Sequence, residues 1–166
     1  MTLKEARIRT GFDLLSDDEL SYWSWSTGSG SVREGQRSME RKYPLHRLIR
    51  RTALKYFKQH KWDIYPRGIT VNGTGTCPDF AIFNQRKIIF IECLTERFVE
   101  TSNVKKKRGV EKFAEIRFVV EEKPKNEFDS KRDFDGYINR VKRLARKCVV
   151  YWCNAKNRQI RIARFK

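Results

Sequence analysis

The sequence predicts an α/β domain: a mixed central sheet flanked by helices, with a further helix and a β-hairpin at the C-terminal end. Three observations carry this reading. Two stretches, near residues 44–58 and 133–147, repeat apolar residues with helical period. Short apolar runs around residues 62–94 are punctuated by turn residues, as strands are. The chain has 166 residues, 39% of them hydrophobic, which is enough for one sizeable core and hardly for two. No internal repeat is visible.

The elements follow in order. Ser16-Asp17-Asp18-Glu19 has the pattern of a capping box and predicts a short helix ending near Trp23. A Gly/Ser stretch from Ser24 to Ser31 reads as a link, so residues 1–36 form an arm. Its Tyr22, Trp23 and Trp25 are expected to dock onto the protein's own core rather than to stack on bases. Leu45, Leu48, Ile49, Thr52, Ala53, Tyr56 and Phe57 then fall on one helical face. Pro44 is tolerated only in a first turn, so this helix starts near Pro44, or starts near Ser38 and kinks. Trp62–Tyr65, Thr70–Asn72, Pro78–Phe83 and Lys87–Cys93 read as strands, with a turn at Gly73–Thr76. Thr101, Ser102 or Asn103 would cap a helix reaching about Glu115, weakened by roughly 1 kcal/mol at Gly109. Arg117–Glu121 is a strand, 122–132 a polar loop, and Asp133–Lys147 an amphipathic helix. Cys148–Cys153 and Gln159–Phe165 form a hairpin over an Asn154–Arg158 turn.

Charge narrows the function. Lys and Arg number 37 against 20 Asp and Glu, a net charge of +17. Residues 1–40 carry 5 basic and 7 acidic side chains, so the excess lies wholly on residues 41–166. A one-sided field of this size attracts polyanions and releases their counterions; nucleic acid is the natural partner. No apolar run has the length of a membrane span, and no apolar stretch follows Lys4, Arg7 and Arg9 as a secretory signal requires. An intracellular protein, cytoplasmic or with the nucleoid, and no membrane partner are therefore expected. Cys77, Cys93, Cys148 and Cys153 form no CxxC pair and three of them lie in or beside apolar runs, the pattern of reduced core thiols rather than a zinc site.

Two carboxylates stand out. A two- or four-residue reversal at Asn84–Lys87 sets Asp79 opposite Glu92 on one side of the sheet, Cβ atoms roughly 5 Å apart. An odd loop would send Glu92 to the other face. The strand residues between are nearly all apolar. Two close anions there repel and lose solvation, and a hard cation such as Mg²⁺ relieves both costs. Strand-terminal acids are also commonly just solvated or paired with Lys or Arg.

Gly75-Thr76-Cys77-Pro78-Asp79-Phe80 followed by Ile88-Ile89-Phe90-Ile91-Glu92-Cys93-Leu94 resembles the PD-(D/E)xK nuclease superfamily. Arg37-Ser38-Met39-Glu40-Arg41-Lys42, leading into a basic helix, is similar to the opening of archaeal-type Holliday junction resolvases within it. The resemblance covers about residues 37–121 and implies a restriction-endonuclease-like αβββαβ core within a nuclease-like domain spanning 37–166. It implies Mg²⁺ or Mn²⁺ held by Asp79, Glu92 and the main-chain carbonyl of Cys93, with Glu40 assisting from the first helix. The implied chemistry is water attack on a DNA phosphodiester by an endonuclease, in a possible homodimer that cuts two strands. The superfamily carries Lys two residues after the Glu; here that residue is Leu94. The expected substitute is Lys106, or its neighbours Lys105 and Lys107, with Lys112 a turn later. Arg47, Arg50, Arg51, Lys105, Lys107, Arg140, Arg143 and Arg146 are expected to hold the nucleic-acid backbone. Leu94 leaves open a non-catalytic binder with the nuclease fold. A third reading is a basic RNA-binding domain stacking bases on Trp23, Trp25 and Trp62.

Overall fold

The computed structural model describes residues 23–25, 41–66, 69–71, 78–84, 86–100, 103 and 114–166. Its strands are β1 (Trp23–Trp25), β2 (Asp63–Tyr65), β3 (Ile69–Val71), β4 (Phe80–Phe83), β5 (Ile88–Leu94), β6 (Glu115–Glu121), β7 (Val150–Asn154) and β8 (Gln159–Ile162). Its longer helices are α1 (Pro44–Gln59) and α2 (Lys131–Ala145). Six strands form one mixed sheet in the order β2-β4-β5-β6-β7-β8. The inner pairs β5–β6 and β6–β7 are parallel, while β2–β4, β4–β5 and β7–β8 are antiparallel.

The central strands are buried along their whole length, and their sequences are accordingly near-continuous apolar runs. Strand alternation splits them between two cores. Phe80, Ile82, Ile89, Ile91 and Cys93 pack with Ile49, Ala53 and Phe57 of α1. Ala81, Phe83, Ile88, Phe90 and Leu94 pack with Tyr137, Val141 and Leu144 of α2. Each helix covers one face, giving three layers. Burying a side chain such as Phe57, 1% exposed, contributes roughly 1.5–3 kcal/mol.

Local chemistry sets the helix ends. Arg41 and Lys42 are helical, Tyr43 breaks the helix, and Pro44 opens α1 at its first position, where no N–H is needed. The buried stripe is Ile49, Thr52, Ala53 and Phe57, whereas Leu45 is 37% exposed. The expected stripe was thus too wide on its N-terminal side. The α1 C-terminus closes with paired backbone bonds, Trp62 N–H to the Phe57 carbonyl and Lys61 N–H to the Lys58 carbonyl, both 3.1 Å. This Schellman arrangement needs a left-handed residue at Lys61, whose φ is 60°. Helix α2 starts on Ser130, whose Oγ accepts from the Asp133 N–H at 3.1 Å, the cap missing from the expected Asp133 start.

The strands occur where expected, with shifted ends. The exception is Trp23–Trp25, which the sequence assigned to a helix end and a link. It forms a strand antiparallel to β3, Trp23 opposite Val71 and Trp25 opposite Ile69. The Trp-Ser-Trp alternation has strand period. The expected helix near Ser16, the turn at 73–76 and most of the helix after Asn103 lie outside the described residues. Cys93, Cys148 and Cys153 are free thiols, as expected; Cys77 lies outside the described residues. Among the described residues, no helix is long and apolar enough to cross a membrane.

Two substitutions test this account by urea denaturation. Lys61→Gly relieves the left-handed backbone and should stabilise the fold by about 1 kcal/mol. Phe57→Ala opens a cavity under α1 and should cost about 3–5 kcal/mol.

Candidate active site

The β4–β5 hairpin fixes the site. Asn84 N–H donates to the Lys87 carbonyl at 3.1 Å, and Asn84 Oδ1 accepts from the Arg86 and Lys87 N–H groups. This closes a two-residue reversal and sets Phe80 opposite Ile91 and Phe83 opposite Ile88. The even-numbered loop read from the sequence is the one formed. One step further, the Asp79 N–H donates to the Ile91 carbonyl at 3.0 Å, the partner already opposite Phe80, so the regular ladder ends at Phe80 and Asp79 lies just outside it.

Alternation puts Glu92 with Phe90 and Leu94 on the α2 face, beside Phe118 of β6. It is 7% exposed. Asp79, just before β4, sits at the rim with its side chain 19% exposed. Its Oδ2 accepts the Cys93 N–H at 2.7 Å. From the other layer, the first turn of α1 brings His46, whose Nε2 lies 3.3 Å from both Asp79 oxygens. The Asp79 carboxylate and an imidazole from α1 thus meet at the rim, with the charge of Glu92 near enough to act on His46 and Cys93.

The electrostatics agree with that geometry. Burial pulls the His46 pKa down, but the Asp79 hydrogen bond and the charges of Asp79 and Glu92 outweigh it and hold the imidazole above 6.5; Arg50 opposes them. Burial drives the Cys93 thiol well above its ordinary range, and Asp79 and Glu92 push it further. Cys93 is therefore no nucleophile.

A carboxylate has about four lone-pair sites, so Asp79 retains acceptor capacity beyond Cys93 and His46. Two carboxylates suit Mg²⁺, which usually takes one or two from protein and completes its shell with water and phosphate. They do not make an all-protein cage. Among the described residues, no group of three or more His, Cys, Asp or Glu side chains is arranged to hold a metal ion.

The other expected site residues divide. Glu40, Lys105, Lys106, Lys107 and Lys112 lie outside the described residues. Leu94, at the superfamily's lysine position, is 5% exposed and belongs to the α2-side core. Arg50 donates to the Pro66 carbonyl, and its charge reaches His46 and Cys93. Arg47 is half-buried and Arg51 exposed. Arg143 on α2 and Arg146 just after it are exposed, while Arg140 is held by Glu96 at 3.1 Å. Trp62 packs against the α1-side core, which weighs against a role as a stacking platform.

Sequence reasoning missed His46. A signal was present: His46, Ile49, Ala53 and Phe57 are spaced three, four and four residues apart, the buried stripe of α1 extended by one turn. A polar residue there marks the point where the stripe passes the sheet rim.

Comparison with known proteins adds no relative: no protein-family model matches the chain, and no curated protein is significantly similar to it.

A raised folded-state pKa means that His46 stabilises the fold fully below its unfolded value near 6.5 and loses that contribution as pH rises through the folded value. In NMR titration of the metal-free protein, the His46 ring should titrate above 6.5 and fall in Asp79→Asn. The stability advantage of wild type over His46→Asn should shrink over the same rise in pH.

Proposed function

We propose that the protein is a Mg²⁺- or Mn²⁺-dependent DNA endonuclease that hydrolyses phosphodiester bonds, resolvase-like or restriction-like. What supports this reading is the Asp79 carboxylate at the sheet rim, held by His46 and the Cys93 N–H, with the buried Glu92 close enough for its charge to act on both, in a strongly basic protein. The order α1, β2, β4, β5, β6 agrees with an αβββαβ core whose second helix would fall in 101–113. A homodimer cutting two strands belongs to the same reading.

Each residue then has a role. Asp79, Glu92 and the Cys93 carbonyl would hold the ion. A divalent cation bound there would lower the pKa of water and neutralise charge on the attacked phosphate. The Cys93 N–H and His46 fix the Asp79 carboxylate from two directions, so its orientation is set in advance, as hydrogen bonds to metal-ligating groups do elsewhere. His46 is in this sense a positioning residue. Arg50 places a cation at the same rim, and Lys106 or a neighbour would contact the scissile phosphate, since Leu94 is committed to the core. Glu40 would assist from the segment before α1.

Leu94 also favours a second reading, a nuclease fold that binds DNA without cutting it. Branched, single-stranded and duplex DNA incubated with and without Mn²⁺ separate the two. Under the first reading, wild type gives metal-dependent products. Asp79→Ala and Glu92→Ala should each lose roughly 10³-fold or more in rate, several kcal/mol of transition-state stabilisation. His46→Ala should lose about 10–100-fold. Tight binding by wild type with no products under any metal condition would leave the second.

A further inference from the structure

Away from the Asp79 rim, a groove of about 350 Å³ runs between α1 and the β7–β8 hairpin. Arg51 and Lys55 line it from α1 and Arg158 from the hairpin turn, with Tyr56, Gln59 and Ile160 between them. No carboxylate lines it. Some described cations meet acids: Arg117 and Lys87 meet Glu115, Arg140 and Lys123 meet Glu96, Lys156 meets Glu127 and Arg161 meets Glu122. Among the described residues Arg51, Lys55 and Arg158 form no ion pair, and all three are exposed.

This arrangement works against the fold. Like charges four apart on a helix repel, and Arg51 and Lys55 stand in that relation. Arg158 brings a third cation on a backbone with φ of 52°, a conformation that Gly or Asn adopts at less cost. The hairpin turn therefore carries a costly residue whose side chain adds charge to an already repulsive groove. A bound polyanion relieves that repulsion. Arg51 and Lys55 lie about 6 Å apart along the helix axis, a row that suits an anion repeating along a chain. Gln59 and the Tyr56 hydroxyl add neutral donors.

We propose that this groove is a phosphodiester-binding track for a DNA strand, separate from the rim that carries Asp79 and Glu92. The proposal rests on the reading of the protein as one that acts on DNA, but binding in the groove and cutting at the rim are measured independently.

The experiment measures the affinity of the full chain for duplex DNA over a range of salt concentrations. It compares wild type, the triple variant Arg51→Gln/Lys55→Gln/Arg158→Gln, and a control triple, Lys125→Gln/Lys131→Gln/Arg132→Gln. The control removes the same charge from exposed positions before and at the start of α2. Each lost phosphate contact lowers the slope of log K against log salt by about 0.9. The groove triple should flatten the slope by about two to three, and the control by less than one. Equal effects of the two triples, or no effect of the groove triple, would overturn the proposal. So would a groove triple that loses binding to phosphatidylserine vesicles while keeping its affinity for DNA.

Arg158→Gly gives an independent check, because it removes both the charge and the unfavourable backbone. It should raise the melting temperature while weakening DNA binding; unchanged affinity would count against the track. In an Asp79→Ala background, where cleavage is largely lost, the groove triple should still flatten the slope by about two to three. A wild type that never cuts but shows the groove-dependent slope refutes the nuclease reading and keeps the track. A wild type that cuts with a slope indifferent to the groove does the reverse.

Discussion

The register of two antiparallel strands governs this molecule. Because side chains alternate with period two, a one-residue slip between β4 and β5 would move every apolar residue of either strand to the wrong layer. Phe80 and Ile82 would leave α1, and Ala81 and Phe83 would leave α2. The same constraint that keeps both cores closed brings Asp79, at the end of the ladder, against the Cys93 N–H beside Glu92. Two acids near the end of a fully buried hairpin are an electrostatic cost imposed by the register. The fold answers part of that cost locally, with the Cys93 N–H at 2.7 Å from Asp79 and the His46 ring at 3.3 Å.

Cations are distributed with comparable order. Around β6 and the start of the loop that follows it, basic side chains are drawn into pairs with Glu115, Glu96 and Glu122. Among the described residues, the cations lining the groove between α1 and the hairpin meet no acid. A net charge of +17 is therefore not a uniform coat. Around β6 several cations are paired, whereas among the described residues the groove gathers three unpaired ones with no acid in its lining, which gives a polyanion a direction of approach as well as an attraction.

Much of this was legible in the sequence because it depends on short-range chemistry. The hairpin register follows from the Asn84–Lys87 reversal, and the buried faces of α1 and α2 from period alone. Other features depend on tertiary context. His46 belongs to the site only because α1 crosses the sheet with its first turn at the rim. Lys61 ends α1 in a left-handed conformation that a sequence reader assigns to Gly. Trp23–Trp25 finds its partner in Ile69–Val71, more than forty residues away, a pairing that no local pattern specifies. Leu94 stands where the superfamily resemblance expects lysine, and only its burial beside Phe90 and Phe118 explains what it does instead.

The central claim is that Asp79 and Glu92 share one cation. Adding Mn²⁺ to ¹⁵N-labelled protein without DNA tests it directly, since paramagnetic broadening reports where the ion resides. The account predicts that the amide signals of Asp79, Glu92 and Cys93 broaden first in wild type and persist at the same Mn²⁺ concentration in both Asp79→Asn and Glu92→Gln. Broadening that begins elsewhere, or that survives both substitutions, would contradict it.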